Sequence, residues 1–312
     1  MKNTKTVKTC ILFFVLTLVL NLSGFAQFNP PYTNGPWPGR TLPTSENSIP
    51  GMGGFVHDSI YSNSCHHQMG YCVVLPKSYF NHENTANKWP IIYFLHGYTG
   101  YETADVWNSQ YYFKKAAVDS FPEVIMVFPN GMNEWYTDNA DGKMAIETHI
   151  IKELLPFIDK TYRTKSGCKG IVGFSMGGYG AVKYYLKYPD LFNYAVSIDG
   201  SLYNPQSPMR DYYKLVFETN ENYARNSVFT LLDECLKKHT GIEGRLKIMI
   251  LEGEHNNRKN QNFSEYLTEK KLQHLYFTAP LAHDATLFYG KFLDQILKFE
   301  SENICKSKLD LK

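Results

Sequence analysis

The sequence predicts an α/β protein with a mostly parallel central sheet and helices on both faces. Three observations carry this prediction. Short, continuous apolar runs recur at residues 91–95, 124–128, 170–172, 194–198, 246–251 and 275–277. Stretches with helical character, at 111–120, 144–162, 179–187 and 285–299, fall between or after them. A serine flanked by glycines sits where one apolar run passes directly into a helical one, at Gly173-Phe174-Ser175-Met176-Gly177. Strands buried on both faces read as unbroken apolar runs rather than alternating ones, and parallel strands need a crossover, usually a helix, between them.

In chain order, Lys2, Lys5 and Lys8 precede the apolar stretch 10–20, and Ser23-Gly24-Phe25-Ala26 follows it. A basic start, an apolar middle and small residues read as a signal peptide over 1–26, with a secreted or periplasmic chain beginning at Gln27. Eleven apolar residues are too few for a membrane anchor, since a spanning helix needs about 20. Residues 27–54 are rich in proline and glycine without apolar periodicity, which predicts an extended leader. Residues 56–61 and 71–75 then read as a hairpin turning at Gln68-Met69-Gly70. The apolar strands and helices follow within one domain over 55–300, interrupted by weak helical segments at 202–238 and ended by a tail at 301–312.

The 312 residues are 43% hydrophobic and 20% charged, which excludes disorder and fibrous repeats. The formal charge of +2 gives little field for holding a polyanion, so no nucleic acid partner is expected. Loss of 1–26 removes three lysines and no acid, leaving 286 residues near neutrality at −1. Export permits disulfides, but the five remaining cysteines, Cys65, Cys72, Cys168, Cys235 and Cys305, are too sparse for a disulfide scaffold. They are expected to be core or surface thiols with about one staple. Cys65-His66-His67 lacks the paired spacing of a structural zinc site, so no metal is expected.

A serine at a tight strand-to-helix turn projects its hydroxyl above the sheet, which is the nucleophile elbow of α/β-hydrolases. Its hydroxyl needs a base, and in that fold the order is serine, acid, histidine, the histidine lying in the loop after the last strand. His255, His274 and His283 follow the serine at sufficient distance, but His274 precedes the strand at 275–277. His283 follows that strand and precedes the final helix, so it is the expected base. An oxyanion hole needs two backbone N–H groups. Met176 supplies one by position, and Tyr98, in the glycine-containing loop His96-Gly97-Tyr98-Thr99-Gly100, is expected to supply the other. His96 itself precedes that loop and is expected to be structural.

Several segments together resemble the Putative esterase family. They are His96-Gly97 with Trp107, Pro129-Asn130-Gly131, Trp135-Tyr136-Thr137-Asp138, Ile158-Asp159-Lys160-Thr161-Tyr162-Arg163, the elbow from Gly173 to Gly180, and Tyr188-Pro189-Asp190-Leu191-Phe192. The family includes feruloyl and acetylxylan esterases of carbohydrate esterase family 1, S-formylglutathione hydrolases and mycolyltransferases. The resemblance runs from about 69 to 299 and implies Ser175 as nucleophile and His283 as base. One departure concerns the acid, which the family commonly carries three residues after a strand-ending glycine. Here Leu251-Glu252-Gly253-Glu254-His255-Asn256 places Asn256 there, and an amide cannot stabilise an imidazolium as a carboxylate does. Glu254, beyond the glycine, is the expected acid, with Glu252 second and Asn256 as a neutral orienter third. The expectation is a secreted serine esterase, without metal or organic cofactor, that hydrolyses feruloyl or acetyl esters on a polysaccharide or oligosaccharide through an acyl-enzyme. An acyltransferase, a thioesterase, or a binding protein that kept the fold are the alternatives.

Overall fold

A computed structural model describes residues 49–81, 86–118, 120–254 and 256–305. The signal sequence at 1–26, most of the leader and the end of the tail lie outside the described residues. The strands are β1 (Met52–Ser62), β2 (His67–Pro76), β3 (Trp89–Leu95), β4 (Ile125–Pro129), β5 (Thr164–Phe174), β6 (Tyr194–Ile198), β7 (Ile248–Glu252) and β8 (Leu275–Thr278). They form one sheet in the order β1-β2-β4-β3-β5-β6-β7-β8. β1 and β2 pair antiparallel, as do β2 and β4, and every later pairing is parallel. This is the α/β-hydrolase sheet, as the apolar runs predict.

Alternate residues of the central strands feed two cores. Ile91, Tyr93 and Leu95 join Ile171 and Ile250 on one face, while Ile92 and Phe94 join Val172, Val196 and Leu251 on the other. Each of these side chains is essentially inaccessible to solvent. Burying one such side chain contributes about 1.5–3 kcal/mol. The helices that cover these faces are α1 (Ser109–Ala116), α2 (146–161, with a π turn at His149–Leu154), α3 (Met176–Lys187), α4 (Asp211–Phe217), α5 (Asn220–Arg225), α6 (Val228–Lys238), α7 (Lys259–Glu269) and α8 (Ala285–Asn303). The excursion after β6 comprises α4 to α6, as the weak helical segments predict.

The hairpin differs from expectation. Its turn falls at residues 63–66 rather than 68–70, and Gly70 lies within β2 opposite Ser59. Glu153 fixes the turn from α2: it accepts from Ser62 Oγ (2.6 Å) and Ser64 N (3.0 Å). Gly70 is not a turn glycine, because a Cβ there would lie 2.6 Å from the Glu102 carboxylate. That carboxylate sits between His57 Nε2 (3.0 Å) and Asn130 Nδ2 (2.8 Å). The leader also ends earlier than expected, since β1 begins at Met52 and Ile49 is already buried.

Cys168 on β5 and Cys305 after α8 form a disulfide, whereas Cys65, Cys72 and Cys235 are buried free thiols. The bond joins residues 137 apart in sequence. Constraining so long a loop in the unfolded chain contributes about 2–5 kcal/mol. Cys168→Ser should therefore lower the thermal midpoint by several degrees, and reductant should lower the wild-type midpoint to the same value. A wild-type midpoint indifferent to reductant would contradict the bond. Among the described residues, no helix is long and apolar enough to cross a membrane.

Candidate active site

β5 ends at Phe174 and α3 begins at Met176, which leaves Ser175 alone to make the turn at φ 57° and ψ −115°. A non-glycine residue at positive φ is strained, and the surroundings must over-determine it. They do so here. Ser175 N donates to Ile198 O (2.9 Å), and Ser201 N donates to Ser175 O (3.1 Å). Gly177 must be glycine, because a Cβ there would overlap the carbonyl oxygen of Leu95. Strand and helix thus approach closely enough to lift the serine above the sheet.

His283 lies in the loop between β8 and α8, and its Nε2 is 2.8 Å from Ser175 Oγ. The ring packs against Phe174 at 4.6 Å between centroids, and Asp284 caps α8 by accepting from Thr286 N (2.8 Å). The other ring nitrogen, Nδ1, lies 2.5 Å from Asp199 Oδ2. This corrects the acid. Glu254 is exposed, with its backbone N–H donating to Leu281 O (3.2 Å), and the carboxylate on the imidazole is Asp199. Glu252 is buried and committed elsewhere: it accepts from Asn260 N (3.3 Å), Gln261 N (2.9 Å) and Tyr276 Oη (2.6 Å), tying the start of α7 to β8. Asn256 touches the acid rather than the imidazole, donating from Nδ2 to Asp199 Oδ1 (2.9 Å).

Asp199 follows β6 directly, at φ 46°, with its N–H donating to Leu251 O (2.8 Å). It is 1% exposed. Burial alone would raise its carboxyl, but hydrogen bonds from His283, Gly253 N and Asn256 outweigh that and hold it below the usual carboxylate range. The site therefore presents an ionised acid, an imidazole and a serine hydroxyl in one hydrogen-bonded chain. The sequence carried a signal for Asp199, a carboxylate immediately after an apolar strand, in the order serine, acid, histidine.

The loop after β3 lies beside the serine: a Cβ on Gly97 would be 3.4 Å from Ser175 Cβ. Tyr98 N–H and Met176 N–H are thus both carried by backbone bordering Ser175, and Met176 opens a helix whose first amides have no acceptor in a preceding turn. His96 supports this loop. Gly131 N donates to His96 Nε2 (2.9 Å), which leaves the ring proton on Nδ1 to donate to Gly97 O (2.8 Å). Burial lowers the His96 pKa, consistent with a neutral imidazole.

An aromatic wall adjoins the loop. Tyr98 and Trp135 stack at 5.9 Å, Trp135 and Tyr212 at 5.6 Å, and Tyr98 remains 39% exposed. Trp135 and Tyr136 both hold positive φ. Lys183 on α3, fully buried, donates to Tyr136 O (3.0 Å) and to Thr137 Oγ1, and pairs with Glu147 (3.0 Å). Desolvation lowers Lys183 to about 8. Burial would raise Glu147, but Lys183 and Lys187 together bring it to about 2. Sequence reasoning missed this pair, whose one signal was a lysine on an otherwise apolar helix face. Among the described residues, no three His, Cys, Asp or Glu side chains are grouped to hold a metal ion.

A serine, an imidazole and a carboxylate bonded in series above the carboxyl ends of such a sheet define a serine hydrolase. The chain belongs to the family described as Putative esterase, which matches residues 62–292. It is 31% identical to Esterase Rv1288 of Mycobacterium tuberculosis over 156 residues, 48% of this chain and 32% of the relative. The match thus spans about a third of that relative's length. Two solved structures share the fold. A ferulic acid esterase is 24% identical with a TM-score of 0.68, over 80% of this chain and 97% of that one. The S-formylglutathione hydrolase (FrmB) of Staphylococcus aureus is 18% identical with a TM-score of 0.64, over 80% and 98%.

Proposed function

We propose that the chain is an exported serine esterase that hydrolyses carbohydrate-linked carboxylic esters, of feruloyl or acetyl type, through an acyl-enzyme on Ser175. The observation that carries the reading is the hydrogen-bonded series Ser175, His283, Asp199 in a member of an esterase family. In the reaction, His283 Nε2 takes the Ser175 proton as Oγ attacks the ester carbonyl, and the imidazolium is stabilised by ionised Asp199. The Tyr98 and Met176 amides receive the negative charge that develops on the carbonyl oxygen. As the C–O bond to the sugar breaks, the imidazolium protonates the departing sugar oxygen, which leaves as a hydroxyl, and a water deprotonated by the same imidazole then attacks the acyl-enzyme and releases the acid.

The substrate class is supported by the exposed ring of Tyr98, stacked on Trp135 and carried by the loop that borders the serine, because flat aromatic faces suit both sugar rings and phenolic acyl groups. The test is a panel of methyl ferulate, acetylated xylo-oligosaccharide, nitrophenyl acetate and an S-acyl thioester. Turnover of the ferulate or the acetylated sugar at least tenfold above the thioester is expected, and a thioester preference would overturn the substrate class. Export rests on the sequence of residues 1–26. N-terminal sequencing of the protein recovered outside the cytoplasm should begin at Gln27, and a retained N-terminus would refute it.

A further inference from the structure

The carboxylate that faces His283 comes from the end of β6, while the loop after β7 holds Asn256. The amide does not touch the imidazole. Its Nδ2 donates one proton to Asp199 Oδ1 (2.9 Å) and the other to Gly200 O (2.9 Å). Both protons are therefore engaged. Rotating the amide by half a turn would set its oxygen against two acceptors, so the nitrogen faces the acid. Gly253 N, in the same loop, donates to the same Oδ1 (2.9 Å). One oxygen of Asp199 is thus saturated by two donors, and the other, Oδ2, is left for His283 Nδ1. Asn256 is 8% exposed, so water does not readily replace its donor.

From this geometry we infer that Asn256 is a positioning residue for the acid: it fixes the rotation of the Asp199 carboxylate so that Oδ2 meets the imidazole. The inference rests on the triad reading above. The side chain at 256 bears no charge; it orients a charge delivered by the neighbouring strand. A hydrogen bond to a buried carboxylate is strong enough that losing it should slow turnover about ten- to a hundredfold. The loss belongs in kcat, because Asn256 reaches the reacting atoms only through Asp199 and His283, and KM should stay within about twofold.

The experiment is a double-mutant cycle with the full chain, using a nitrophenyl ester and the rate at which a fluorophosphonate labels Ser175. Asn256→Leu, close in size and without donors, is measured in the wild type and in Asp199→Ala. If Asn256 acts through Asp199, the kcat loss seen in the wild type shrinks to less than about threefold once the carboxylate is gone. Equal losses in both backgrounds, or a change confined to KM, would mean that Asn256 only supports the loop and would overturn the inference. Asn256→Ser, which is smaller and cannot reach both acceptors, takes its place in the same cycle if the leucine variant does not fold. A wild type that the fluorophosphonate fails to label overturns the triad reading and this inference together. Labelling with additive losses overturns this inference alone.

Discussion

Asp199→Asn should lower turnover about 10⁴-fold while Glu254→Gln leaves it within about twofold. The size of the first effect follows from the donors already aimed at Asp199. Gly253 N and Asn256 Nδ2 both point at Oδ1 and require an acceptor there. An asparagine at 199 must therefore turn its oxygen toward them and its NH2 toward His283. The imidazole can meet an NH2 only with an unprotonated Nδ1, which moves its proton to Nε2, the atom that should accept from Ser175. The base is then blocked in the wrong tautomer and the imidazolium has lost its counter-charge. Glu254 is exposed, and the Nδ1 it would have to serve is already held by Asp199. Measuring kcat for both variants on one nitrophenyl ester decides the matter. A collapse of Glu254→Gln with Asp199→Asn near normal would reverse the assignment.

Ser175→Ala should be lower still, at about 10⁴–10⁶-fold below the wild type, with an unchanged fold. His283→Ala should fall to a similar level. The double variant should lose almost nothing beyond the single ones, because nucleophile and base act as a unit. Their contact, Nε2 to Oγ, is 2.8 Å long. Ester turnover with circular dichroism as the control for folding reads this directly. Multiplied losses in the double variant would show that His283 does not serve Ser175, and more than about a tenth of wild-type turnover in Ser175→Ala would remove the serine from the mechanism.

The sheet was legible because buried parallel strands leave unbroken apolar runs, and 91–95, 170–172 and 194–198 fall within observed strands. The hairpin turn was not, because Gly70 reads as a breaker when its reason for being glycine is a carboxylate distant in sequence. Ser175 and His283 could be paired because each lies at a junction that topology fixes, one after a strand and before a helix, the other after the last strand. Asp199 could not be selected in the same way. In the sequence it is one acid among 30, and two glutamates near the family position competed with it. What distinguishes it is the register of β6 beside β7, which sets the end of one strand against the loop of the next. The Lys183 and Glu147 pair was hidden for a similar reason, since its partners lie far apart in sequence on separate helices.

The staple between Cys168 and Cys305 has a practical consequence for handling the protein on surfaces. Cys168 lies on the strand that runs into Ser175, seven residues before it. At the rise of an extended strand that separation is roughly 20 Å, toward the amino-terminal end of the strand. The chain at Cys305 is covalently held at that end. A linkage made close to Cys305 would therefore hold the molecule at the end of β5 remote from Ser175. An ester too large to enter a porous bead could still reach a serine displayed in that orientation.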